Sequence, residues 1–449
     1  MRLPRLFTLL LAVAGTLALT GAAQAAAPTW PQFGHDAAKS GANPDERTIT
    51  RRTVAGLTLD YVAFGPADPT FGGISQSSPA VAGNVAYVGT DSGLLLALPA
   101  TGCGSDSCAP LWTAKLTNGA HTTPAVAGGL VFISSAGSVD NGLGTLAAFR
   151  AAGCGRATCT PVWTAPVPNT GSSPTVSGGI LYIVSGDGRL LAFTAAGCGR
   201  STCAPLWTGN LKSSSNGAPA VANGLVYATS QERLVAFRAG GCGLRTCPPV
   251  WASRPVAGSD TGSGLIQDAG PTVSGDKVYF PSVDFQAPDG KAGTVYAYSS
   301  SACLSAQTLE CTPLWVAHPS DFDSINTNLT VSDGILYGSA TGFVFAFDAN
   351  GCGQPVCGFL WFGGLGVSAG TGAAPSVAGG VVYYTQNVGR IGGFDAGGCG
   401  ELACDPLWSA VTQPFEAFMT TPVIVNGRVY VAGPAVGGQP TMWVYHLAK

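Results

Sequence analysis

Charge is scarce in this chain. Asp, Glu, Lys and Arg make up 10% of its 449 residues, and 21 basic against 24 acidic side chains leave a net charge of −3. The Lys and Arg are dispersed, so there is neither a basic stripe for a phosphate backbone nor a polybasic cluster for an anionic lipid surface. Nucleic acid is not an expected partner. Histidine is scarcer still, with four copies at unrelated positions, which removes a common zinc ligand. His-Glu-x-x-His and a phosphate loop ending in Gly-Lys-Ser/Thr are both absent, so the chemistries they carry have no anchor. The string Gly364-Leu365-Gly366-Val367-Ser368-Ala369 mimics a dinucleotide fingerprint, but it leads into another strand, with no helix to aim at a phosphate. After residue 19 no apolar run approaches the roughly 20 residues of a membrane span.

The one apolar run, residues 6–19, follows Arg2 and Arg5 and precedes Ala23-Gln24-Ala25. A basic head, a short apolar middle and a small-residue site predict a signal peptide over residues 1–25, cleaved near Ala25. The mature chain is expected outside the cytoplasm, secreted or in the cell envelope, without a membrane span and as a monomer. What is abundant is glycine, with 64 copies, together with Ala, Val, Ser and Thr. That apolar, turn-rich composition reads as all-β.

The chain repeats. Its clearest unit, residues 172–208, reads SSPTVSGGILYIVSGDGRLLAFTAAGCGRSTCAPLWT. The Pro-x-Val start recurs at Pro79, Pro124, Pro174, Pro219, Pro271 and Pro375, as Pro-x-Ile at Pro422, and with Leu329 in place of Pro in one copy, which makes eight starts. The closing Trp occurs at Trp112, Trp163, Trp207, Trp251, Trp315, Trp361 and Trp408, one fewer than the starts. Glycine-containing turns cut each unit into four short strands, A to D. The pattern predicts an eight-bladed β-propeller of four-stranded blades, with a lead-in segment over residues 26–57 and a single propeller domain over residues 58–449. The last copy runs out after its third strand, so residues 58–64, with Tyr61 at the Trp position, are expected to complete it and close the ring.

All 14 cysteines fall between strands C and D. They pair by position as Cys103 with Cys108, Cys154 with Cys159, Cys198 with Cys203, Cys242 with Cys247, Cys303 with Cys311, Cys352 with Cys357, and Cys399 with Cys404. Zinc would need four ligands at each site, and an exported chain meets an oxidising environment, so seven local, structural disulfides are expected. The eighth blade lacks a pair because its strands C and D come from opposite ends of the chain.

The unit "G-x-L-x-A-F-x-A-x-G…W" resembles the tryptophan-docking repeat of the PQQ-like propellers, named after pyrroloquinoline quinone. The Asp that often follows the strand C aromatic in that family stands here at Asp348 and Asp395, and residues 30–36, WPQFGHD, are similar to the family's usual way into the ring. The resemblance implies the propeller fold over almost the whole mature chain. It leaves activity open, since the family holds quinone-dependent alcohol and sugar dehydrogenases as well as non-enzymatic propellers of outer-membrane assembly. A dehydrogenase of this kind would be expected to carry a vicinal Cys-Cys pair, a catalytic Asp and a Glu/Asn/Asp calcium set. No adjacent cysteines occur, and no residue here matches the calcium set.

The short A–B turns and the disulfide-closed C–D loops are expected on one face of the ring, and the D–A and B–C connections, which carry most of the length variation, on the other. Long inserts lie over residues 134–145, with Asp140, and 282–294, with Asp284, Asp289 and Lys291. Three residues ahead of each Pro position stand Gln76, His121, Gly171, Asn216, Asp268, Asn326, Gly372 and Met419. Of these, Gln76, His121, Asn216, Asp268 and Asn326 are the candidate ligand-binding residues of a channel mouth. The alternative is that they satisfy turn backbone and hold channel water. Three functions stay open: a non-enzymatic binding or scaffold module for an extracellular protein or glycan, needing no cofactor; a PQQ-dependent oxidoreductase, needing the quinone and calcium; and a hydrolase or lyase built around His121 and Asp268.

Overall fold

A computed structural model describes residues 29–448 apart from 67–76, 121, 138–141, 257–263, 266–268, 285–292, 307, 319–324, 326, 341, 367–371, 387, 413–419 and 435–438. The expected signal peptide lies outside the described residues. Eight antiparallel sheets form the eight blades of a propeller. Blade three is representative, with strand A at Thr175–Ser177, B at Ile180–Ser185, C at Arg189–Thr194 and D at Trp207–Asn210, each paired to the next. The A–B turns explain a recurrent Gly-Gly, Asn-Gly or Asp-Gly. Both turn residues take positive φ, as at Gly178 (56°) with Gly179 (78°) and Asn426 (58°) with Gly427 (67°), the two-residue turn that matches strand twist.

The chain has no single central core. Its buried apolar residues divide into eight clusters, each shared by two neighbouring blades. At each interface the strand D Trp packs against strand B of its own blade and strand C of the next, as Trp207 does with Tyr182 and Phe237 at 6.2 Å each. The indole also explains the glycine before five of the seven first cysteines, Gly153, Gly197, Gly241, Gly351 and Gly398. A Cβ on Gly197 would stand 2.6 Å from the Trp163 ring, and one on Gly241 2.6 Å from Trp207, so the loop backbone lies directly on the preceding blade's indole. The Tyr182 hydroxyl donates to Ala239 O at 2.8 Å and Tyr279 to Ala349 O at 2.8 Å, tying strand B to the following blade's loop.

Ring closure is as expected. Leu57–Phe64 pairs antiparallel with Pro440–Leu447 from Leu57↔Leu447 to Phe64↔Thr441, with an irregularity between Leu59 and Tyr61. Tyr61 takes the Trp position, and a Cβ on Gly102 would lie 3.4 Å from its ring.

All seven expected disulfides are present, with Cα–Cα distances from 5.3 to 5.8 Å. Their loops also act between blades. The residue pair ending in each second cysteine lies parallel to strand D of the preceding blade, as in Thr158↔Thr113 with Cys159↔Ala114. The local crosslink thus stiffens an added strand that covers a neighbour's outer edge.

Gly197→Ala and Gly199→Ala separate packing from backbone strain. Both residues have positive φ, 88° and 75°, but a Cβ at Gly199 meets nothing within 4 Å. Gly199→Ala should cost about 1 kcal/mol from the left-handed backbone alone. Gly197→Ala should cost about 2–4 kcal/mol, because the indole must also move. Calorimetric melting of the two variants reads the difference, and equal losses would contradict the docking of Gly197 on Trp163.

Candidate functional site

The ring places strand A innermost, and one segment of the chain covers all eight of those inner edges in turn. Thr29–Trp30 pairs with strand A of blade one through Thr29↔Ala82 and Trp30↔Val81. The middle residue of strand A in each of the next six blades then donates its N–H to the segment. Val126 donates to Pro31 O at 2.7 Å, Val221 to Ala37 O at 2.6 Å, Val273 to Ala38 O at 2.8 Å, Val331 to Ser40 O at 2.8 Å and Val377 to Gly41 O at 2.9 Å. Blade three uses a side chain instead, with Val176 N donating to Gln32 Oε1 at 2.9 Å. Asn43 Nδ2 completes the circuit by donating to Ile424 O of blade eight at 2.9 Å. Residues 29–43 therefore plug the channel, satisfying inner-edge groups that would otherwise need water.

The plug turns tightly. His35 (φ 70°) and Lys39 (φ 61°) join Gly34 and Gly41 in the left-handed region, a local cost accepted because the surrounding blades fix the path. Ser40 N and Oγ donate to the two carboxylate oxygens of Asp36 at 3.1 and 2.6 Å, and the His35 ring stands 3.9 Å from that carboxylate. Burial alone would raise the Asp36 carboxyl, but the His35 and Ser40 interactions outweigh it and hold it below the usual carboxylate range. Lys39 is buried, and its Nζ donates to Phe33 O at 2.9 Å. Burial pushes its amine down to about 7, with Asp36 pulling the other way. Beside it lies a cavity of about 10 Å³ lined by Phe33, Gly34, Asn328, Thr330 and Thr421, room for about one water.

The A–B turns and C–D loops share one face, as expected. Ala151 N donates to Gly129 O, Ala195 N to Gly179 O and Ala349 N to Gly334 O, all at 2.9 Å. The chain leaving the plug runs over that face at blades seven and eight, where Glu46 Oε2 accepts from Gly427 N at 2.9 Å and Arg51 pairs with Asp395 at 3.1 Å.

Of the expected mouth residues on the opposite face, Asn216 is exposed, and a Cβ on Gly171 would come within 2.5 Å of its Oδ1. The mouth positions of blades three and four are thus adjacent. Gln76, His121, Asp268, Asn326 and Met419 lie outside the described residues, as do Asp140, Asp289 and Lys291 of the long inserts. Beneath the mouth, hydroxyls bond the backbone of the next blade. Ser134 Oγ donates to Ser172 O at 3.1 Å, Thr229 Oγ1 to Ala269 O at 3.0 Å, Ser339 Oγ to Ala373 O at 2.9 Å and Thr385 Oγ1 to Thr420 O at 3.1 Å. This belt joins blades. The plug itself was not read from the sequence as a channel filler, because its partners are strand N–H groups that leave no side-chain signature apart from Gln32 and Asn43.

A family profile described as outer membrane protein assembly factor BamB matches residues 42–153 and 142–302, which together span more than half of the chain. The chain belongs to the PQQ-like repeat family. Among solved structures, BamB from Moraxella catarrhalis aligns at 15% identity with a TM-score of 0.57, covering 87% of this chain and 98% of that one. The computationally designed Ika8 protein aligns at 13% identity with a TM-score of 0.57, covering 85% and 98%. The quinohemoprotein alcohol dehydrogenase from Comamonas testosteroni aligns at 14% identity with a TM-score of 0.47, covering 94% and 81%. At these identities the likeness is one of fold. No curated protein matches the sequence.

The described residues do not fit a quinone-and-calcium site. Among the strands A and residues 29–43, the one carboxylate is Asp36, and both its oxygens are engaged by Ser40. Calcium takes six to eight oxygen ligands, and among the described residues no group of three His, Cys, Asp or Glu is placed to share a metal ion.

Lys39 makes the plug sensitive to pH. Its folded-state value of about 7 lies below the ordinary 10.5, so between those limits the unfolded chain binds more protons than the native one, and stability rises with pH. From about pH 7 to about pH 9.5 the wild type should gain on the order of 2–3 kcal/mol relative to Lys39→Met, which has no amine to titrate. Melting curves of both proteins across that range test this, and a pH-independent difference would contradict it.

Proposed function

We propose that this chain is a non-enzymatic propeller that binds a protein or glycan outside the cytoplasm through its D–A and B–C loops. The observation that carries the reading is the division of the ring into two unlike faces. On one, the disulfide-closed loops are clamped to their neighbours and the A–B turns are two residues long. The other is the face to which the sequence assigns the long inserts and the mouth positions Gln76, His121, Asn216, Asp268 and Asn326, of which Asn216 is described and exposed, and a rigid scaffold suits loops for recognition. Seven disulfides agree with an oxidising compartment, and among the described residues no helix is long and apolar enough to cross a membrane. The family description, an outer membrane protein assembly factor, favours a protein as the bound partner.

Replacing residues 138–141 and 285–292 with short Gly-Ser turns should leave the melting temperature within a few degrees and abolish partner capture by cross-linking in the cell envelope. Capture that survives both replacements would move the working surface elsewhere. Reconstitution with PQQ and calcium, followed by dye reduction across alcohols and sugars, should give no turnover above a protein-free blank. Turnover would overturn the non-enzymatic reading.

A further inference from the structure

The outer edges of the blades obey one rule with one exception. In seven blades the residue after the strand D aromatic donates its N–H outward to the following blade's cystine loop. Val62 donates to Asp106 O, Thr113 to Ala157 O, Thr164 to Ser201 O, Thr208 to Arg245 O, Ala252 to Leu309 O, Val316 to Pro355 O and Phe362 to Leu402 O, at 2.8 to 3.0 Å. The next strand D residue then faces a second cysteine, as Ala63 faces Cys108, Ala114 faces Cys159 and Ala317 faces Cys357. Each of those three alanines is fully buried.

Blade seven has no such cover, because blade eight joins its strands C and D from opposite ends of the chain and so has no loop to send. Among the described residues its strand D, Trp408–Val411, pairs only with Arg390–Asp395. The N-terminal segment replaces half of the missing loop. Leu57 O accepts from Trp408 Nε1 at 3.1 Å, the role that Ala195 O plays for Trp163 at 3.2 Å, and a Cβ on Gly393 would touch Val54 at 3.4 Å. The strand half is not replaced. Ser409 is exposed, its outward N–H has no partner among the described residues, Ala410 is only half-buried and Val411 is 60% exposed.

We propose that the outer edge of Trp408–Val411 is a docking site for an extended segment of another protein, added as a parallel fifth strand with a small side chain facing Ala410. The seven equivalent edges define this occupant. Each seats an extended segment in parallel, one main-chain N–H anchors it, and a cysteine faces the second residue after the strand D aromatic. An unpaired edge is a template for such addition. The site lies on the rim, apart from the loops of the proposed binding face, and does not rest on that reading.

The test uses the whole protein and a fluorescent, oxidised peptide with the sequence of residues 198–205, Cys-Gly-Arg-Ser-Thr-Cys-Ala-Pro, which in this protein covers the equivalent edge of blade two. Anisotropy should detect saturable binding with a Kd of about 1 mM or tighter, and Ser409→Pro should weaken it at least about tenfold. Proline there removes only an outward donor, so the melting temperature should change little. Ala410→Arg, which puts a large side chain at the facing position and leaves the Ser409 N–H in place, should weaken binding similarly. Hydrogen exchange over residues 405–412 should slow when the peptide binds. No saturable binding to the wild type, or equal binding to Ser409→Pro, overturns the proposal. A wild-type dimer that Ser409→Pro dissociates assigns the edge to a second copy of this chain and overturns the foreign segment.

Discussion

Every blade of this ring is a four-stranded sheet with two bare edges, and covering those sixteen rows of unpaired backbone is the constraint on which the rest of the structure depends. A buried N–H or C=O without a partner costs as much as a lost hydrogen bond, and an open edge invites pairing with another chain. The inner edges are covered by residues 29–43, which present one acceptor or donor to each blade after the first. Seven of the eight outer edges are covered by the cystine loops. Between the two, the Trp of one blade and the Gly-Cys loop of the next form a packed joint, so covering an edge and joining two blades are the same event.

That coupling distributes stability around the circle. Because the apolar clusters lie between blades, no blade buries its own faces alone, and the neighbour terms dominate as in other repeat proteins. Closure through Leu57–Phe64 and Pro440–Leu447 gives the terminal blade the same two neighbours as the rest. The plug adds a connection of another kind. It touches all eight blades with a short stretch of chain, so the N-terminal segment reports on the whole ring, and a titration at Lys39 is felt as a property of the assembly.

Much of this was legible in the sequence, for physical reasons that can be named. Counting eight unit starts against seven Trp and seven Cys pairs located the closure seam, because a blade assembled from both chain ends must lose its C–D loop. Gly-Gly and Asn-Gly between β runs marked the A–B turns, because both turn residues need positive φ. The plug was not legible. Its carbonyls meet strand N–H groups, and any residue carries a carbonyl, so Pro31, Ala37, Ala38, Ser40 and Gly41 bear no mark of what they do. The added fifth strands were hidden for the same reason: Thr158 and Cys159 looked like parts of a closed loop, and their second role depends on which strand lies alongside. The mouth residues were chosen by register alone. The one described, Asn216, is exposed beside Gly171, and the hydroxyl belt serves the backbone.

The seven disulfides make better sense as edge covers than as crosslinks. Closing a loop of six residues removes only about 2 kcal/mol of unfolded-state entropy, and a bond between residues five apart restrains nothing beyond its own loop. What it does restrain is the shape of a short segment that must lie extended against a neighbour without a partner strand of its own. A flexible loop would lose conformational entropy each time it docked, and a closed one has already lost it. The disulfides thus lower the cost of each inter-blade joint, and their absence from blade eight leaves blade seven with the one strand D that no cystine loop covers.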